Sequence, residues 1–427
     1  MTRTAVIGAG PMGLATAREL LKQGNEVVVF EAGTEPGGMS VSIDFAGTRI
    51  ERFYHYICKG DQPMFDLLEE LGLAGHLRWS ETSMGYYLNQ RLLDWGDPWA
   101  LLRFPYLGPI GKFRYGLMAF VSMKRRNWRR LENLDAVSWL HAWLGKHTYD
   151  LLWKRLFELK FHQFTGQLSA AWIWARLRRM GESRKNLFQE QYGYLEGGSD
   201  TLIQRLVEVI REMGGEVHLG CPVREILLEA GQVRGVVTVQ GEELFDAVIS
   251  TVPLPYVPGM LPSLPEQQLQ AYRSIRNIAC VCVMFKLKKP LSKYFWLNVS
   301  DPDMDIPGIV EYTNLRPMTE HIIYAPYYLP ADHPAYSDSD EVFLDKVQRY
   351  LQQVNPQLTE ADIIASTVGR YRFAQPVCEP GFEARLPPVR TGVRGLLIAD
   401  TSHYYPEDRS ISESVALGKK LAAMLGH

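Results

Sequence analysis

The sequence predicts an α/β protein that opens with a nucleotide-binding βαβ unit. A short apolar strand at 4–7 runs into the glycine turn GAGPMG at 8–13. A helical stretch follows at 14–23, and a second apolar strand, EVVVF at 26–30, ends at Glu31. Because strand, turn, helix, strand and acidic residue occur in this order and spacing, we predict a dinucleotide site.

Each part of this unit has a physical role. Gly8 allows a tight turn, Gly10 lets the backbone approach a pyrophosphate, and Gly13 lets the helix pack closely on the strand. The helix N-terminus offers free N–H groups and the positive end of its dipole to the phosphates. Glu31 can accept hydrogen bonds from ribose hydroxyls. The turn alone does not separate NAD from FAD.

Composition limits the function classes. A chain of 427 residues predicts two or three domains. The 46 basic and 48 acidic side chains leave a net charge of −2, so we expect no nucleic-acid partner. The 10 Trp, 21 Tyr and 17 Phe suit a large apolar cavity, a membrane-facing surface or a large core.

The cysteines and the first residues favour a cytoplasmic protein. The five cysteines form no CxxC pattern, and their odd number favours a reducing compartment. The chain begins directly in a strand pattern, and no apolar run approaches the ~20 residues of a spanning helix. Contact with a membrane surface stays open. We expect no bound metal.

The next glycine motif distinguishes an FAD site from an NAD site. The segment EAGTEPGGM at 31–39 resembles the second glycine motif of FAD enzymes in the amine oxidase, protoporphyrinogen oxidase and phytoene desaturase superfamily, which UDP-galactopyranose mutases share. The stretches GGS at 197–199, GGEVHL at 214–219, VISTVP at 248–253 and GLLIADTS at 395–402 resemble it too. In this order they are typical of the fold and of FAD, and they do not specify a substrate.

The resemblance implies a set of residues that contact FAD. The glycines of the first turn would hold the pyrophosphate, Glu31 the adenosine ribose, and Gly37 and Gly38 the ribityl chain. Val223 would pair with the adenine edge, and Asp400 with a ribityl or phosphate oxygen. The start of the last helix would face the flavin N1/O2 side, where it stabilises negative charge. The full set is Gly8, Gly10, Pro11, Met12, Gly13, Glu31, Ala32, Gly37, Gly38, Met39, Val223, Thr251, Asp400, Ile411 and Ser412.

Some positions depart from the pattern of the superfamily. Many relatives have Arg directly after the second glycine pair, where this chain has Met39. The stretch 277–280 lacks the Lys with which many amine oxidases hold a water near flavin N5. The SGGC-type segment that bonds flavin covalently is also absent. These departures weaken an amine-oxidase interpretation and favour non-covalent FAD.

The resemblance also implies a two-domain flavoprotein. We expect a discontinuous Rossmann-like FAD-binding domain made of residues 1–80, 190–275 and 385–427. Residues 81–189 and 276–384 would form a mixed α+β substrate domain with a helical cap.

Local patterns predict several elements of these domains. Strands are expected at 280–287, 308–313, 321–328 and 364–373, which are rich in β-branched and aromatic residues, and helices within 135–180. Ser199 is expected to be the N-cap of a helix. The segments 233–239 and 243–249 alternate like paired strands.

Residues with reactive side chains follow two of the FAD motifs. The segment IERFYHYI at 50–57 contains His55, which either moves a proton beside the flavin or packs structurally among tyrosines. His403 and Tyr404 follow Asp400 and should lie near the flavin. The candidate catalytic residues are therefore His55, His403 and Tyr404. The expected substrate cavity is lined by Tyr54, Tyr324, Tyr327 and Tyr405.

The segment 99–130 mixes aromatic residues with eight basic ones and has no acidic one. Such a segment can lie in a membrane interface, with aromatics at headgroup depth and cations on anionic lipid. It can equally be a solvated basic face on a helical cap.

Together these patterns predict an FAD-dependent oxidoreductase. A hydride would pass to flavin N5 from a carbon of an organic small-molecule substrate, apolar or lipid-linked. A redox-neutral flavin enzyme of the sugar mutase type is one alternative. A binding protein without flavin, similar to the GDP-dissociation inhibitors, is another. The oligomeric state is left open.

Overall fold

A computed structural model describes residues 1–425 of the chain. Short strands and a few long ones alternate with helices along its length. The strands are β1 Arg3–Ile7, β2 Glu26–Phe30, β3 Ser42–Asp44, β4 Arg49–Glu51, β5 Leu77–Thr82, β6 Met84–Leu88, β7 Arg91–Trp95, β8 Arg184–Asn186, β9 Gln189–Leu195, β10 Glu216–His218, β11 Glu225–Glu229, β12 Gln232–Thr238, β13 Gly241–Leu244, β14 Ala247–Ser250, β15 Asn277–Leu287, β16 Trp296–Val299, β17 Gly308–Glu311, β18 His321–Pro330, β19 Ile363–Pro376 and β20 Leu396–Ile398.

The helices are α1 Pro11–Lys22, α2 Gln62–Glu70, α3 Pro98–Arg103, α4 Pro109–Lys124, α5 Ala136–Leu144, α6 Lys146–Tyr149, α7 Arg155–Phe161, α8 Ala170–Glu182, α9 Ser199–Glu212, α10 Val257–Met260, α11 Glu266–Arg273, α12 Asp340–Val354 and α13 Ile411–Leu425. Some helices cover a parallel sheet, others form a cap, and α12 packs on β15 and β19. Within residues 1–425, none of them is both long enough and apolar enough to cross a membrane.

A parallel sheet of five strands carries the predicted βαβ unit. Its strand order is β10-β2-β1-β14-β20, and Ile7 of β1 lies opposite both Phe30 of β2 and Ser250 of β14. Parallel strands in this register end at one edge of the sheet, so the loops that follow them meet there. Helices α9 and α13 pack on α1. A Cβ on Gly418 of α13 would lie 2.6 Å from the carbonyl oxygen of Met12, which is why α13 can approach so closely.

The second sheet has seven strands in the order β19-β15-β18-β17-β16-β6-β7. Strand β15 lies between β18 and β19, and all eleven of its residues are buried. The strands expected at 280–287, 308–313, 321–328 and 364–373 are all confirmed. The second of them stops at Glu311 because the chain turns into a 3-10 helix at Tyr312–Asn314.

The helices between the two sheets form a cap, as the pattern at 135–180 predicts. Helices α4, α5 and α8 contact one another. The Nε1–H of Trp174 on α8 donates to the carbonyl oxygen of Ser122 on α4 at 2.8 Å, which satisfies a fully buried indole. Phe157 and Phe161 of α7 are also buried, with their rings packed edge to face. Aromatic packing and the hydrogen bond of Trp174 stabilise the cap, and α7 contacts β18 of the second sheet.

Two local predictions are wrong. The segment 243–249 does not form one strand paired with β12, because the chain changes partners at Phe245 and Asp246. The amide of Phe245 donates to Arg234, whereas the amide of Asp246 donates to Arg3 in the parallel sheet. Ser199 is the first residue of α9 rather than its N-cap, since Gly198 occupies the cap position with a φ of +80°.

Candidate active site

A large cavity of about 1000 Å³ lies between the two sheets. One end is walled by the loops at the edge of the parallel sheet, and the other by side chains from the second sheet and the cap. Its wall includes Gly8, Gly10, Glu31, Gly38 and Asp400 at the first end, and Tyr54, Lys160, Cys280, Cys282 and Tyr328 at the second. The cavity therefore joins the predicted FAD motifs to the predicted substrate side.

Two glycine turns form a groove lined by backbone. Gly8 has a φ of +102°, and a Cβ on Gly13 would lie 1.9 Å from the carbonyl oxygen of Gly8, so neither position tolerates a side chain. Gly10 differs, because its Cβ would meet only the Cα of Gly38, at 3.9 Å. The amide of Gly37 donates to the carbonyl of Ala9 at 2.8 Å and joins the two turns. Gly10 thus faces the groove where a pyrophosphate would lie.

The carboxylate of Glu31 is fixed at the mouth of this groove. One of its oxygens accepts from the amide of Ala9 and the other from the amide of Gly33, both at 2.8 Å. Each oxygen keeps a further lone pair for a ribose hydroxyl. Val223 lines the same region, because the amide of Cys221 donates to the carbonyl of Glu31 and brings the following residues alongside.

Other residues of the set lie in the wall and differ in what their side chains do. The wall includes Pro11, Met12, Ala32, Met39 and Ile411. Thr251 also lines the cavity, but its hydroxyl donates to the carbonyl of Ile7 at 2.9 Å and supports the first turn from below. Ser412 is buried behind Ile411, outside the wall, and its hydroxyl has no partner within residues 1–425.

Asp400 and Ser410 line the far end of the groove. The carboxylate of Asp400 accepts from the amides of Ser402 at 2.8 Å and Leu254 at 2.9 Å, and it faces the cavity. The hydroxyl of Ser410 accepts from the amide of Glu413 at 3.0 Å, so it caps α13. Taken with the groove and Glu31, these residues fit FAD: backbone for phosphates, carboxylates for hydroxyls, and a helix N-terminus for the flavin ring.

His55 stands in the cavity wall with one nitrogen free. Its Nδ1 lies 2.7 Å from the carbonyl oxygen of Phe53, so Nδ1 carries the proton and donates. Nε2 has no hydrogen-bond partner within the described residues and keeps its lone pair. Burial lowers the pKa of His55, and the charge of Glu51 offsets only part of this. The neutral ring is therefore equipped to accept a proton.

The structure does not support a proton-transfer role for His403 or Tyr404. Both ring nitrogens of His403 are used, because Nε2 lies 3.0 Å from the carbonyl oxygen of Pro387 and Nδ1 accepts from the amide of Asp400 at 3.2 Å. His403 is also outside the cavity wall. The ring of Tyr404 reaches the wall, but its hydroxyl is 2.8 Å from Ser414 Oγ and is turned away. Both residues instead hold the loop between β20 and α13.

Of the four tyrosines expected to line the substrate cavity, Tyr54 does so and three do not. The hydroxyl of Tyr324 donates to the carbonyl of Glu51 at 2.6 Å, and its ring is fully buried. Tyr327 points to the other face of β18 and packs on Phe343. Tyr405 hydrogen-bonds Ser169 at 2.7 Å beneath the cap. Tyr328, whose ring does line the cavity, takes their place.

Sequence reasoning missed most of the charged residues in the wall. Lys160 of α7 and Arg176 and Arg179 of α8 reach the cavity from the cap, and Arg409 reaches it from the loop before α13. The sequence RLRRM at 176–180 is that of an ordinary amphipathic helix surface, so no local signal distinguishes Arg176 and Arg179.

The chain matches the model of the flavin-containing amine oxidoreductase family over residues 13–406. It therefore belongs to this family and is an FAD-dependent oxidoreductase, with the two-domain fold that the family shares. The glycine groove, the carboxylate of Glu31 and the cap of α13 are the parts of this chain that fit the cofactor.

Curated relatives include carotenoid desaturases. The 15-cis-phytoene desaturase of Synechococcus elongatus is 26% identical over 61% of this chain and 60% of its own length. That of Arabidopsis thaliana is 23% identical over 88% of this chain and 72% of its own length. The chain thus spans less than two thirds of the cyanobacterial relative.

Solved structures share the fold over nearly the whole chain. An oxidoreductase from Methanosarcina mazei has a TM-score of 0.75 at 19% identity, over 99% of this chain and 100% of that one. A putrescine oxidase bound to putrescine has a TM-score of 0.74 at 18% identity, over 99% and 98%. A chain from Exiguobacterium sp. 255-15, provisionally assigned as a protoporphyrinogen oxidase, has a TM-score of 0.76 at 19% identity, over 99% and 98%.

Substitutions at Gly10 and Gly13, two of the three glycines of the first turn, should have different effects. Gly10 has an extended φ of −75°, so Gly10→Val should fold normally but place its side chain where the pyrophosphate lies. Gly13→Ala should lower both flavin content and thermal stability, because its Cβ collides with backbone. The measurements are absorbance near 450 nm and unfolding by circular dichroism. Normal flavin content in Gly10→Val would remove the site assignment.

Acid precipitation of the wild type should release intact FAD, whereas flavin retained in the pellet would indicate a covalent bond.

The second prediction concerns Glu31. Glu31→Gln replaces one carboxylate oxygen with an amide N–H, and losing hydrogen bonds to a charged group costs about 1.5–3 kcal/mol. The Kd for FAD should rise roughly tenfold to a hundredfold, at 1.4 kcal/mol per decade. Fluorescence titration of apoprotein measures it. Glu26→Gln, at the other end of β2, is the control and should leave the Kd unchanged.

Proposed function

We propose that the enzyme removes a hydride from a carbon of an apolar or lipid-linked organic substrate. The observation that carries this proposal is the character of the cavity beyond the FAD motifs. Aromatic rings and thiols from the second sheet and the segment after β4 form its wall there, including Tyr54, Cys280, Cys282, Trp296 and Tyr328. A wall of this kind excludes water and binds apolar surface.

FAD, when bound, supplies the two-electron acceptor, with hydride arriving at flavin N5. The chain supplies orientation, exclusion of water and a proton acceptor. The rings of Tyr54 and Trp296 pack edge to face, with centroids 5.7 Å apart, which gives one side of the cavity a rigid aromatic surface. His55 Nε2 is the group proposed to take a proton from the substrate when its carbon is oxidised.

Two findings support this assignment. Several curated relatives are named for phytoene and zeta-carotene, and the family is one of flavin-containing oxidoreductases. The stretch 277–280 contributes no lysine to the second sheet, which is where the sequence departs from many amine oxidases. An apolar substrate fits the cavity better than a small amine.

The test is anaerobic mixing of the oxidised enzyme with polyprenoids, amines, porphyrinogens and nucleotide sugars. We expect polyprenoids to bleach the flavin absorbance with a stoichiometric gain of one double bond in the product. His55→Gln should slow bleaching by about 10²-fold or more, the usual loss for a missing general base, without changing flavin content. Bleaching by amines alone would overturn the proposal. Turnover of a nucleotide sugar without net oxidation would replace it with the sugar mutase alternative.

We further propose that the enzyme docks on an anionic membrane surface on the cytoplasmic side. Helix α4 exposes an apolar stripe at the spacing i, i+3, i+7 and i+10, made of Ile110, Phe113, Leu117 and Phe120. Ile110 and Phe113 are 76% and 70% exposed. Exposed apolar residues in one continuous patch mark an interaction site.

Neighbouring residues extend this surface. Trp99 of α3 stacks on Phe188, with ring centroids 6.1 Å apart, and both rings are about half exposed. Arg125 and Arg126 follow the end of α4 with no ion-pair partner in the described part of the chain. Aromatic rings at headgroup depth with cations beside them suit anionic lipid. The five cysteines, all free and buried, are in keeping with a reducing cytoplasm.

The free energy of binding to an anionic membrane should have an electrostatic contribution, which salt weakens, and an apolar contribution, which salt does not weaken. Replacing Lys124, Arg125 and Arg126 with Ser should reduce binding to anionic liposomes by roughly two orders of magnitude, at about 1 kcal/mol per charge. Replacing Ile110, Phe113 and Phe120 with Ser should remove the binding that survives high salt. Co-sedimentation at low and high salt separates the two. If the wild type stays in the supernatant at low salt, the surface is a solvated cap.

A further inference from the structure

Four cationic side chains enter the inner end of the cavity. They come from α7, from α8 and from the loop before α13, and they are Lys160, Arg176, Arg179 and Arg409. Two carboxylates stand among them. Asp408 lies 3.1 Å from Arg176, and Asp61 lies 2.9 Å from Arg179. Arg176 and Arg179 therefore each form an ion pair with one carboxylate.

Lys160 and Arg409 have no such partner. No hydrogen bond or ion pair reaches Lys160 Nζ from residues 1–425, and its nearest aromatic neighbour is the ring of Tyr328, 4.6 Å away at the centroid. Arg409 donates to the carbonyl of Ala374, and its Nη1 lies 3.9 Å from Met39 Sδ. Both side chains are half-buried and line the cavity.

Asp408 interacts electrostatically with Lys160 and Arg409, but its ion pair is with Arg176. Burial alone raises the pKa of Asp408, but the charges of Arg176 and Lys160 hold it below its usual range, so Asp408 is already ionised. Burial lowers the pKa of Lys160 well below its ordinary value, and the charges of Arg176 and Arg409 add to this effect. Neither Lys160 nor Arg409 forms an ion pair within the described residues, and a negatively charged ligand would favour the ammonium form of Lys160. Two such basic groups in one cavity are unfavourable in their charged forms unless a ligand supplies the negative charge.

We propose that Lys160 and Arg409, supported by Arg176, form a subsite for the phosphate group of the substrate. This deepens the proposed function and rests on it: the substrate would be an apolar chain that ends in a phosphate monoester. With Lys160 protonated in the presence of the ligand, Lys160 and Arg409 supply two positive charges, which match the charge of about −1.5 to −2 that a phosphate monoester carries at neutral pH. The cations provide a planar donor pair and a point charge, both of which bind phosphate.

The proposed phosphate subsite lies in a different part of the cavity from the groove for the FAD pyrophosphate. The groove for the FAD pyrophosphate is built by the turn after β1 in the parallel sheet. Lys160 belongs to α7, which packs on β18 of the second sheet. The apolar wall of Cys280 and Tyr328 adjoins Lys160, so one ligand can place its chain on the wall and its headgroup on the cations.

The experiment compares ligands that differ only in the headgroup. Flavin-loaded enzyme is titrated calorimetrically, below micelle formation, with farnesyl phosphate and with farnesol. We expect the wild type to bind farnesyl phosphate at least about tenfold more tightly, the least that a charge-assisted pair of hydrogen bonds would give. Lys160→Met should abolish this preference while still binding farnesol, and Lys160→Arg should keep it. Lys154→Met, an exposed lysine one segment earlier, is the matched control.

Further measurements distinguish a subsite for a phosphate-bearing substrate from a site for free phosphate and from a purely structural role of Lys160. Competition by millimolar inorganic phosphate alone, without any effect of chain length, would mean a site for free phosphate and would overturn the lipid-linked substrate. Equal affinity of the wild type for farnesol and farnesyl phosphate would overturn the subsite. If Lys160→Met loses farnesol as well, Lys160→Arg decides: failure to restore the preference for phosphate refutes the proposal. Because binding does not need turnover, retained phosphate preference without flavin bleaching would leave the subsite standing and reject the hydride transfer.

Discussion

The contact between the two glycine turns is the constraint on which the active site depends. The amide of Gly37 bonds to the carbonyl of Ala9, and Gly10 faces Gly38 without a side chain between them. This approach is available only because the parallel strands end at one edge and bring both loops together. Moving one glycine turn relative to the other would change the width of the groove, the position of Glu31 and the direction of α1 together. Side chains between the turns would force such a movement, so backbone forms this end of the cavity.

The two sheets divide the work of binding. The parallel sheet offers amides, two carboxylates and a helix end, all suited to a cofactor whose shape never changes. The second sheet and the cap offer side chains, among them Tyr54, Lys160 and Tyr328, and these set what else fits. Such a division lets a family keep one cofactor while substrates diverge, in agreement with relatives that share the fold at only 18–26% identity.

The parts that the sequence predicted well are local ones. The glycine turn and Glu31 lie within one strand–turn–helix–strand unit, so spacing alone locates them. Tyr327 was misplaced although the alternation of side chains along β18 separates it from Tyr328 and could have excluded it. Lys160 and Arg176 could not be found, because the packing of a helical cap, rather than any pattern along the chain, turns them inward. For the same reason the free nitrogen of His55 follows only from the bond to Phe53.

The position of α13 has a consequence for how the protein is made. Within residues 1–425 this helix follows every other element, yet it packs on α1, the first helix, through Gly418, and β20 completes the parallel sheet just before it. The cofactor-binding half therefore cannot reach its final packing on the ribosome until the residues of α13 have been synthesised. The second sheet, whose last strand is β19, is synthesised completely beforehand, so it can fold first and offer a surface on which the two ends of the chain assemble.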